Sequence, residues 1–257
     1  MNIKFRLLGT GSSMGVPRPD GYWGKCDPKE KKNYRTRCSA IIKFNNQNIL
    51  IDTSPDLRHQ LLSNNIKTID KVFYTHLHAD QTHGINDLRP FFLINKKQIS
   101  TYANKETFKY LYTTFKYCFK STNDYPSTLR LINLKKKHTF KNKKQRLFIE
   151  SIPVKHGNID SLCFVINKKL AYASDISSFH NKDIKKLMKL DFLIVDCLWY
   201  KGHSSHFNLN QVLEIIKTLK PKKTILTNMH TDLDYDVLKK VLPKGVLPGY
   251  DGMKINL

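Results

Sequence analysis

The chain has 257 residues, of which 40% are hydrophobic, and its 44 Lys and Arg residues exceed its 21 Asp and Glu residues by a net charge of +23. A hydrophobic fraction of this size can build a substantial core, which excludes a wholly disordered protein. No apolar run approaches the ~18 residues that a membrane helix requires, so we expect no membrane-spanning segment and no membrane partner.

The first residues and the cysteines predict a cytoplasmic protein. Residues 1–8 alternate apolar and basic side chains, as in a half-buried strand, and lack the continuous apolar stretch of a signal peptide. The five cysteines are widely spaced and form no Cys-x-x-Cys pair, which favours reduced thiols over a disulfide framework. The oligomeric state, including a homodimer, stays open.

The positive charge has two interpretations. It suits a phosphate-bearing partner, either nucleic acid or a small anion. It also suits a compositional bias, because Lys, Asn and Ile are abundant together and all have A/T-rich codons. The basic residues are spread along the whole chain, with short clusters at 135–137 and 141–144. Charge alone therefore does not identify a partner.

In the first half of the chain, strand-like runs alternate with short helical patterns. Strands are predicted at 1–8, 39–44, 48–51 and 71–75. The second and third of these flank Asn45-Asn46-Gln47 and are predicted to form a hairpin. Ser54-Pro55 predicts a helix start, with Ser as N-cap and Pro as the first helical residue. The basic section at 96–144 is the least regular, and we expect it to carry loops over a site.

The second half repeats this pattern. Further strands are predicted at 147–154, 162–166, 170–173, 192–195 and 224–227. Asn208 is predicted to cap a helix whose apolar face carries Leu209, Val212, Ile215, Ile216 and Leu219. Strands followed by helices, twice over, predict an α/β sandwich that forms a single domain over residues 1–257.

Several polar residues lie just past predicted strand ends, where layered α/β folds gather their active sites. They are Asp52, His76, His156, Asp175 and His230. The densest cluster lies within residues 75–84, which contain His76, His78, Asp80 and His83. A solvated polar turn is one interpretation of this cluster. Imidazole and carboxylate are also the ligands that borderline divalent cations prefer, which favours a metal site.

These residues, in this order, resemble the metallo-β-lactamase superfamily, whose His-x-His-x-Asp-His signature is followed downstream by a single His and a single Asp. The matching residues are His76, His78, Asp80, His156 and Asp175. Segments 8–13, 51–53 and 250–253 also match, so the resemblance covers nearly the whole chain. It implies a four-layer αβ/βα sandwich and a metal-dependent hydrolase that attacks with metal-bound hydroxide. Asp80 would orient that hydroxide or hold a second ion.

Within the superfamily, the chain is most similar to the PhnP-like cyclic phosphodiesterases, through its Gly-Thr-Gly opening, its Cys38-Ser39 segment and its last strand. In that family a dinuclear site, commonly of manganese, opens a phosphoribosyl 1,2-cyclic phosphate, and a separate His is the general acid. His206 matches that acid, which makes it and Asp80 the implied catalytic residues. The alternative is that His206 only flanks the helix that Asn208 caps.

Two departures from the signature concern the second ion. Gln81 stands at the sixth signature position, and Asn228 stands where the family has His in its last strand. A neutral amide is a poorer ligand than imidazole for manganese, iron or zinc. We therefore expect one tightly held divalent ion, zinc or manganese, and a second that is weak or lost. His230 is a candidate replacement ligand, and His83 is another nearby imidazole.

Two further residues have implied structural roles. The family carries an additional structural zinc on clustered cysteines and a late His, but here only Cys26 matches and Thr231 replaces the His. We predict no structural zinc, since a closed tetrahedral site needs about four ligands. Asp52, at a strand end, is predicted to fix a ligand His and not to bind metal itself.

Three functions remain in view. The first is a metal-dependent phosphodiesterase acting on a cyclic or small phosphodiester. The second is an RNA-processing nuclease of the tRNA 3′-processing type, which the +23 charge favours; the absence of a Gly/Pro-rich tRNA-binding arm disfavours it. The third is a non-catalytic metal-binding or sensor protein on a decayed hydrolase scaffold, which Gln81 and Asn228 favour.

Overall fold

The strands form two sheets in the computed structural model, which describes residues 3–142 and 145–257. Within those residues the first sheet has seven strands, in the order β15-β1-β2-β3-β4-β5-β6. Their bounds are β1 Ile3–Gly9, β2 Ser39–Phe44, β3 Gln47–Ile51, β4 Lys71–Phe73, β5 Ile99–Ala103, β6 Leu129–Asn133 and β15 Lys254–Asn256. The predicted β2–β3 hairpin is present, and Asn45 takes a positive φ of 53° in its turn, a conformation that Asn tolerates. Of the predicted first strand, Met1 and Asn2 lie outside the described residues.

The second sheet has eight strands among the described residues, in the order β11-β8-β9-β10-β12-β13-β14, with β7 paired to β8. Their bounds are β7 Lys137–Asn142, β8 Gln145–His156, β9 Ile159–Ile166, β10 Leu170–Ala173, β11 Ser178–Phe179, β12 Phe192–Asp196, β13 Lys223–Thr227 and β14 Val246–Pro248. The strands β10, β12, β13 and β14 are parallel neighbours, so their carboxyl ends meet at one edge of the sheet.

Helices cover the outer faces of both sheets. They are α1 Leu57–Ser63, α2 Ala79–Thr82, α3 Arg89–Asn95, α4 Lys105–Thr114, α5 Lys116–Phe119, α6 Ile184–Leu187, α7 Leu209–Leu219 and α8 Tyr235–Val241. Short 3₁₀ helices occupy Lys31–Asn33, Ile85–Leu88 and Asn181–Asp183. The Asn208 cap of α7 is confirmed: its side chain accepts from Gln211 N, and the Gln211 side chain accepts from Asn208 N.

Three apolar clusters hold four layers together. The central cluster joins the two sheets, for example through Phe5 against Tyr172 (ring centroids 5.6 Å apart) and Phe73 against Phe164 (5.7 Å). A second cluster joins the first sheet to helices such as α1 and α4, and a third joins the second sheet to α6, α7 and α8. This order of layers confirms the predicted αβ/βα sandwich.

Two local predictions were wrong. The helix predicted at Ser54-Pro55 begins only at Leu57, because Ser54 closes a turn instead: its hydroxyl accepts from Asp56 N and its carbonyl from Leu57 N. The section at 96–144, expected to be the least regular and to carry loops over a site, instead contains β5, α4, α5, β6 and β7, and none of its described residues lines the cleft described below. Its residues 143 and 144 lie outside the described residues. In this section, Asn104 caps α4 by accepting from Thr107 N, a regular helix start that the basic composition obscured.

Candidate metal centre

Three histidines from two distant parts of the chain converge at the carboxyl ends of the strands. His76 follows β4, His78 precedes α2, and His156 ends β8. His78 Nδ1 lies 3.0 Å from His76 Nε2 and 3.3 Å from His156 Nε2. Two nitrogens bound to one tetrahedral zinc at 2.0–2.1 Å lie about 3.4 Å apart. The spacing of the three imidazoles therefore suits a single divalent ion between them.

Hydrogen bonds from Nδ1 on the outer side of the His76 and His156 rings leave the Nε2 lone pair of each ring facing inward. Thr75 Oγ1 donates to Asp52 Oδ2 at 2.8 Å, so it accepts from His76 Nδ1 at 3.0 Å. His156 Nδ1 donates to the Ser205 carbonyl at 2.7 Å. Both Nε2 atoms are therefore unprotonated acceptors facing His78, and a cation is the partner that satisfies them together.

Burial keeps the cluster neutral, as metal binding requires. It lowers the pKa of His76 to about 3 and also lowers the pKa values of His78 and His156 below the ordinary histidine range. Asp52 anchors this arrangement through Thr75 and sits in the left-handed region with φ of 61° at the end of β3. The residues present thus fit a divalent metal ion.

Two carboxylates lie beside the imidazoles, and both are bonded to amides. Gln81 Nε2 donates to Asp80 Oδ2 at 3.2 Å and to Asp175 Oδ2 at 3.3 Å. Asn228 Nδ2 donates to Asp175 Oδ1 at 3.3 Å. Burial, followed by the charge of Asp175, raises the pKa of Asp80 to about 6. Both Asp175 carboxylate oxygens and one Asp80 oxygen therefore already accept from neutral amide donors.

An Asp–His pair completes the site, and its Asp was missed from the sequence. His206 Nδ1 lies 2.6 Å from Asp196 Oδ2, which also accepts from Ile176 N at 3.0 Å. Burial by itself would lower the pKa of His206. The Asp196 carboxylate raises it by more than that, so the pKa of His206 is raised to about 9. Burial raises the pKa of Asp196 to about 7. Asp196 is the last residue of β12, so the strand-end rule that singled out Asp52 and Asp175 would also have found it.

The other two predicted histidines have different surroundings. His230 lies in the wall of the cleft, its ring 5.1 Å from the Trp199 ring and its Nδ1 3.2 Å from Thr231 Oγ1. It is outside the two groups of His and Asp that cluster closely enough for one ion among the described residues: His76, His78 and His156, and His156, Asp175 and His206. His83 points to α4, where its Nε2 lies 2.9 Å from Tyr110 OH. His230 as a ligand stays a prediction.

The segment around Cys26 is held by ordinary polar contacts. Cys26 N donates to the Thr231 carbonyl at 3.1 Å, and the buried Arg35 guanidinium lies 3.8 Å from Cys26 Sγ. Burial raises the pKa of the Cys26 thiol. Both Cys26 and Cys38 are buried free thiols. The expectation of no structural zinc here stays a prediction.

The site lines one cleft of about 350 Å³. Its walls are formed by His78, Asp80, His156, Asp175, His206 and Asn228, together with Ser12, Ser13, Met14, Leu198, Trp199, His203, Ser205 and His230. Three imidazoles, two carboxylates and an Asp-supported imidazole around one cleft can hold a cation and transfer a proton beside it.

The sequence profile of the Beta-lactamase superfamily domain matches residues 47–229. The chain therefore belongs to the metallo-β-lactamase superfamily of hydrolases. It is similar to a crystal structure of a diphosphatase from the PhnP family, with 30% sequence identity and a TM-score of 0.88 over 100% of this chain and 98% of that one. The predicted resemblance to the PhnP family is confirmed.

The chain is also similar in sequence to two curated relatives. An octanoyltransferase of Porphyromonas gingivalis is 30% identical over 254 residues, which are 96% of this chain and 50% of that protein. A ribonuclease Z of Methanococcus maripaludis is 27% identical over 240 residues, which are 90% of this chain and 68% of that protein. The chain thus spans half the length of the first relative.

No helix among the described residues is long and apolar enough to cross a membrane.

Proposed function

We propose that this protein is a metal-dependent phosphodiesterase that acts, as one domain over residues 1–257, on a cyclic or small phosphodiester. The observation that carries the proposal is the convergence of three imidazole nitrogens within 3.0 and 3.3 Å, beside a fourth imidazole, that of His206, whose Nδ1 lies 2.6 Å from Asp196 Oδ2. A cation site and a proton donor in one cleft are the two requirements for expelling an alkoxide from phosphorus.

Each residue has a stated task in this reaction. His76, His78 and His156 with Asp175 would hold the ion, which when bound supplies Lewis acidity and a nucleophile at neutral pH. Asp80, with its pKa raised to about 6, orients the attacking water and accepts its proton. His206 gives its proton from Nε2 to the leaving oxygen. Asp196 holds the opposite ring nitrogen, which orients the ring and stabilises its cationic form.

We further propose that one ion, zinc or manganese, is held tightly and a second only weakly. The support is the pair of amides, because Gln81 and Asn228 donate to the Asp80 and Asp175 oxygens that a second ion would need. A donor N–H₂ satisfies a carboxylate without adding charge. A second ion would have to displace these bonds, and at positions 81 and 228 it would gain only amide oxygens as ligands.

The test of the proposed function is metal content beside turnover. We expect the purified protein to contain one zinc or manganese per chain by mass spectrometry and to hydrolyse at least one member of a panel of cyclic phosphates. Loss of turnover after chelation, and its return with the same metal, would support the assignment. A protein that binds the ion but hydrolyses no phosphodiester would favour the non-catalytic sensor.

A basic cavity supports the RNA-processing alternative. Five cations line a cavity of about 300 Å³, without Asp or Glu among its described lining residues: Lys4, Arg6, Lys43, Lys67 and Lys254. Strand register places Lys4 opposite Lys43 and Arg6 opposite Lys254. Like charges directly opposite each other destabilise a sheet, and a bound polyanion would remove that cost.

The RNA alternative has its own experiment. We expect precursor tRNA, if it is the substrate, to bind with an affinity that falls steeply with salt, because phosphate contacts release counterions. The triple change Lys4→Gln, Lys43→Gln and Lys254→Gln should weaken binding and reduce the salt slope. The matched change Lys239→Gln, Lys240→Gln and Lys244→Gln, elsewhere in the chain, should not. Equal effects of the two triple variants would remove the cavity as the RNA site.

A further inference from the structure

One wall of the cleft is aromatic and held rigidly. The Trp199 indole N–H donates to Asp232 Oδ2 at 2.6 Å, which fixes the plane of the ring. The His230 ring lies 5.1 Å from it at an interplanar angle of 32°. Lys201 Nζ lies 5.7 Å from the indole centre. A ring that is already fixed loses little freedom when a ligand packs on it.

Backbone pairing brings this wall next to the reacting groups. Leu198, the residue before Trp199, donates its N–H to the carbonyl of Phe207 at 2.9 Å. Phe207 is the residue after His206, so this bond holds Trp199 close to His206. On the other side, the Leu198 carbonyl accepts from His230 N at 3.0 Å. Trp199 therefore lies between the segment that carries His206 and the segment that follows Asn228, and all of these line the same cleft.

A second wall residue has an unused hydroxyl. Ser12 is only 3% exposed and lines the same cleft, while its Oγ has no hydrogen-bond partner among the described residues. The Ser12 backbone is otherwise engaged, since its N–H donates to the Met229 carbonyl at 3.2 Å. A buried hydroxyl without a partner is costly unless a ligand supplies one.

We propose that Trp199, His230 and Ser12 form a subsite for the base and sugar of a nucleotide, so that the substrate class is a nucleoside phosphodiester. This inference rests on the proposed function. A nucleobase has a flat π-face that stacks on an indole, whereas a bare sugar phosphate would leave the ring unused. The Ser12 hydroxyl bonds a polar group of the sugar.

The experiment compares two probes that differ only by the base. The chain contains two tryptophans, Trp23 and Trp199, so Trp23→Phe leaves Trp199 as the single fluorescent reporter. Titration of this variant with AMP should quench its fluorescence saturably. Ribose 5-phosphate should compete with an affinity about 5- to 150-fold weaker, the range expected for one stacked base. Equal affinities for the two probes would overturn the subsite.

Calorimetry with variants separates stacking from a folding defect. Trp199→Leu should lower AMP affinity by about 5- to 150-fold, with ribose 5-phosphate affinity nearly unchanged, and Trp199→Phe should lose less. Trp23→Leu is the matched control and should change neither. Ser12→Ala should weaken both probes, because both carry the ribose.

The two proposals fail in different ways. Hydrolysis of a base-free cyclic phosphate, with AMP bound no more tightly than ribose 5-phosphate, would overturn the subsite and leave the reaction standing. Trp199-dependent AMP binding without hydrolysis of any phosphodiester would support the subsite and contradict the reaction.

Discussion

The two halves of the cleft satisfy their polar atoms in opposite ways. In the imidazole half, His76 and His156 turn their lone pairs toward His78 at 3.0 and 3.3 Å, a spacing that suits one divalent ion. In the carboxylate half, Gln81 and Asn228 donate to Asp80 and Asp175 at 3.2 and 3.3 Å. One half therefore presents ligand nitrogens to an ion, whereas in the other half the carboxylates already accept from neutral amide donors. Two substituted side chains are enough to make this difference.

The largest expected effect comes from breaking the imidazole half. His76→Ala and His156→Ala should each abolish hydrolysis, lower metal content and remove the rise in melting temperature that added metal gives the wild type. Mass spectrometry of dialysed protein and thermal melts with and without metal are the measurements. His83→Ala is the matched control, because that ring contacts Tyr110 instead. Full metal content in either ligand variant would show that the site is elsewhere.

The next effect concerns proton donation. His206→Ala should lower turnover of an alkyl phosphodiester by about 10²- to 10⁴-fold but change a nitrophenyl ester little, because that leaving group needs no proton. Asp196→Asn should show the same leaving-group dependence at smaller size, since it only holds the His206 ring. The measurement is kcat/KM on both esters. Equal losses on the two esters would remove the acid role.

A smaller effect should follow from disturbing the outer bonds of the imidazole half. Thr75→Val removes the hydroxyl that accepts from His76 Nδ1 and donates to Asp52 Oδ2, while the backbone bond from Thr75 N to Asp52 Oδ1 remains. Metal affinity should fall by about 10- to 100-fold, as for other partners of ligand histidines. Thr75→Ser keeps the hydroxyl and should retain most of the affinity in a competition titration with a chelator. If Thr75→Val bound metal as tightly as Thr75→Ser, the hydrogen bonds from His76 through Thr75 to Asp52 would have no part in metal binding.

The smallest expected change in rate comes from converting the carboxylate half. This change is also the most direct test of the difference between the two halves of the cleft. Gln81→His with Asn228→His should raise the metal count from one towards two per chain and increase phosphodiesterase activity, because two ions clamp both reacting oxygens. Either change alone should leave the second ion short of a ligand. The readouts are metal content after dialysis and turnover of a cyclic phosphate. Two tight ions in the unmodified protein would contradict the weak second site and direct attention to His230 or His83.

The sandwich and the order of the candidate ligand residues were predictable from local sequence patterns and from the resemblance to the metallo-β-lactamase superfamily. Alternating apolar runs bounded by Asn-rich turns predicted the strands, and His76, His156 and Asp175 could be recognised because each lies at or just past a strand end. These are local signals, in which spacing along the chain fixes which face or end a residue occupies. The same local signals misled at Ser54, where a turn and a helix start share one pattern.

Which polar groups meet could not be predicted from the sequence, because it depends on contacts between distant segments. The approach of His156 to His78 joins residues 78 positions apart, and the bonds from Asn228 and Gln81 reach Asp175 across 53 and 94 positions. Such contacts depend on how two sheets pack, which no local pattern specifies. The packing also paired Asp196 with His206 and set Trp199 beside them. It therefore brought three imidazole nitrogens together in one half of the cleft and bonded the carboxylates to amides in the other.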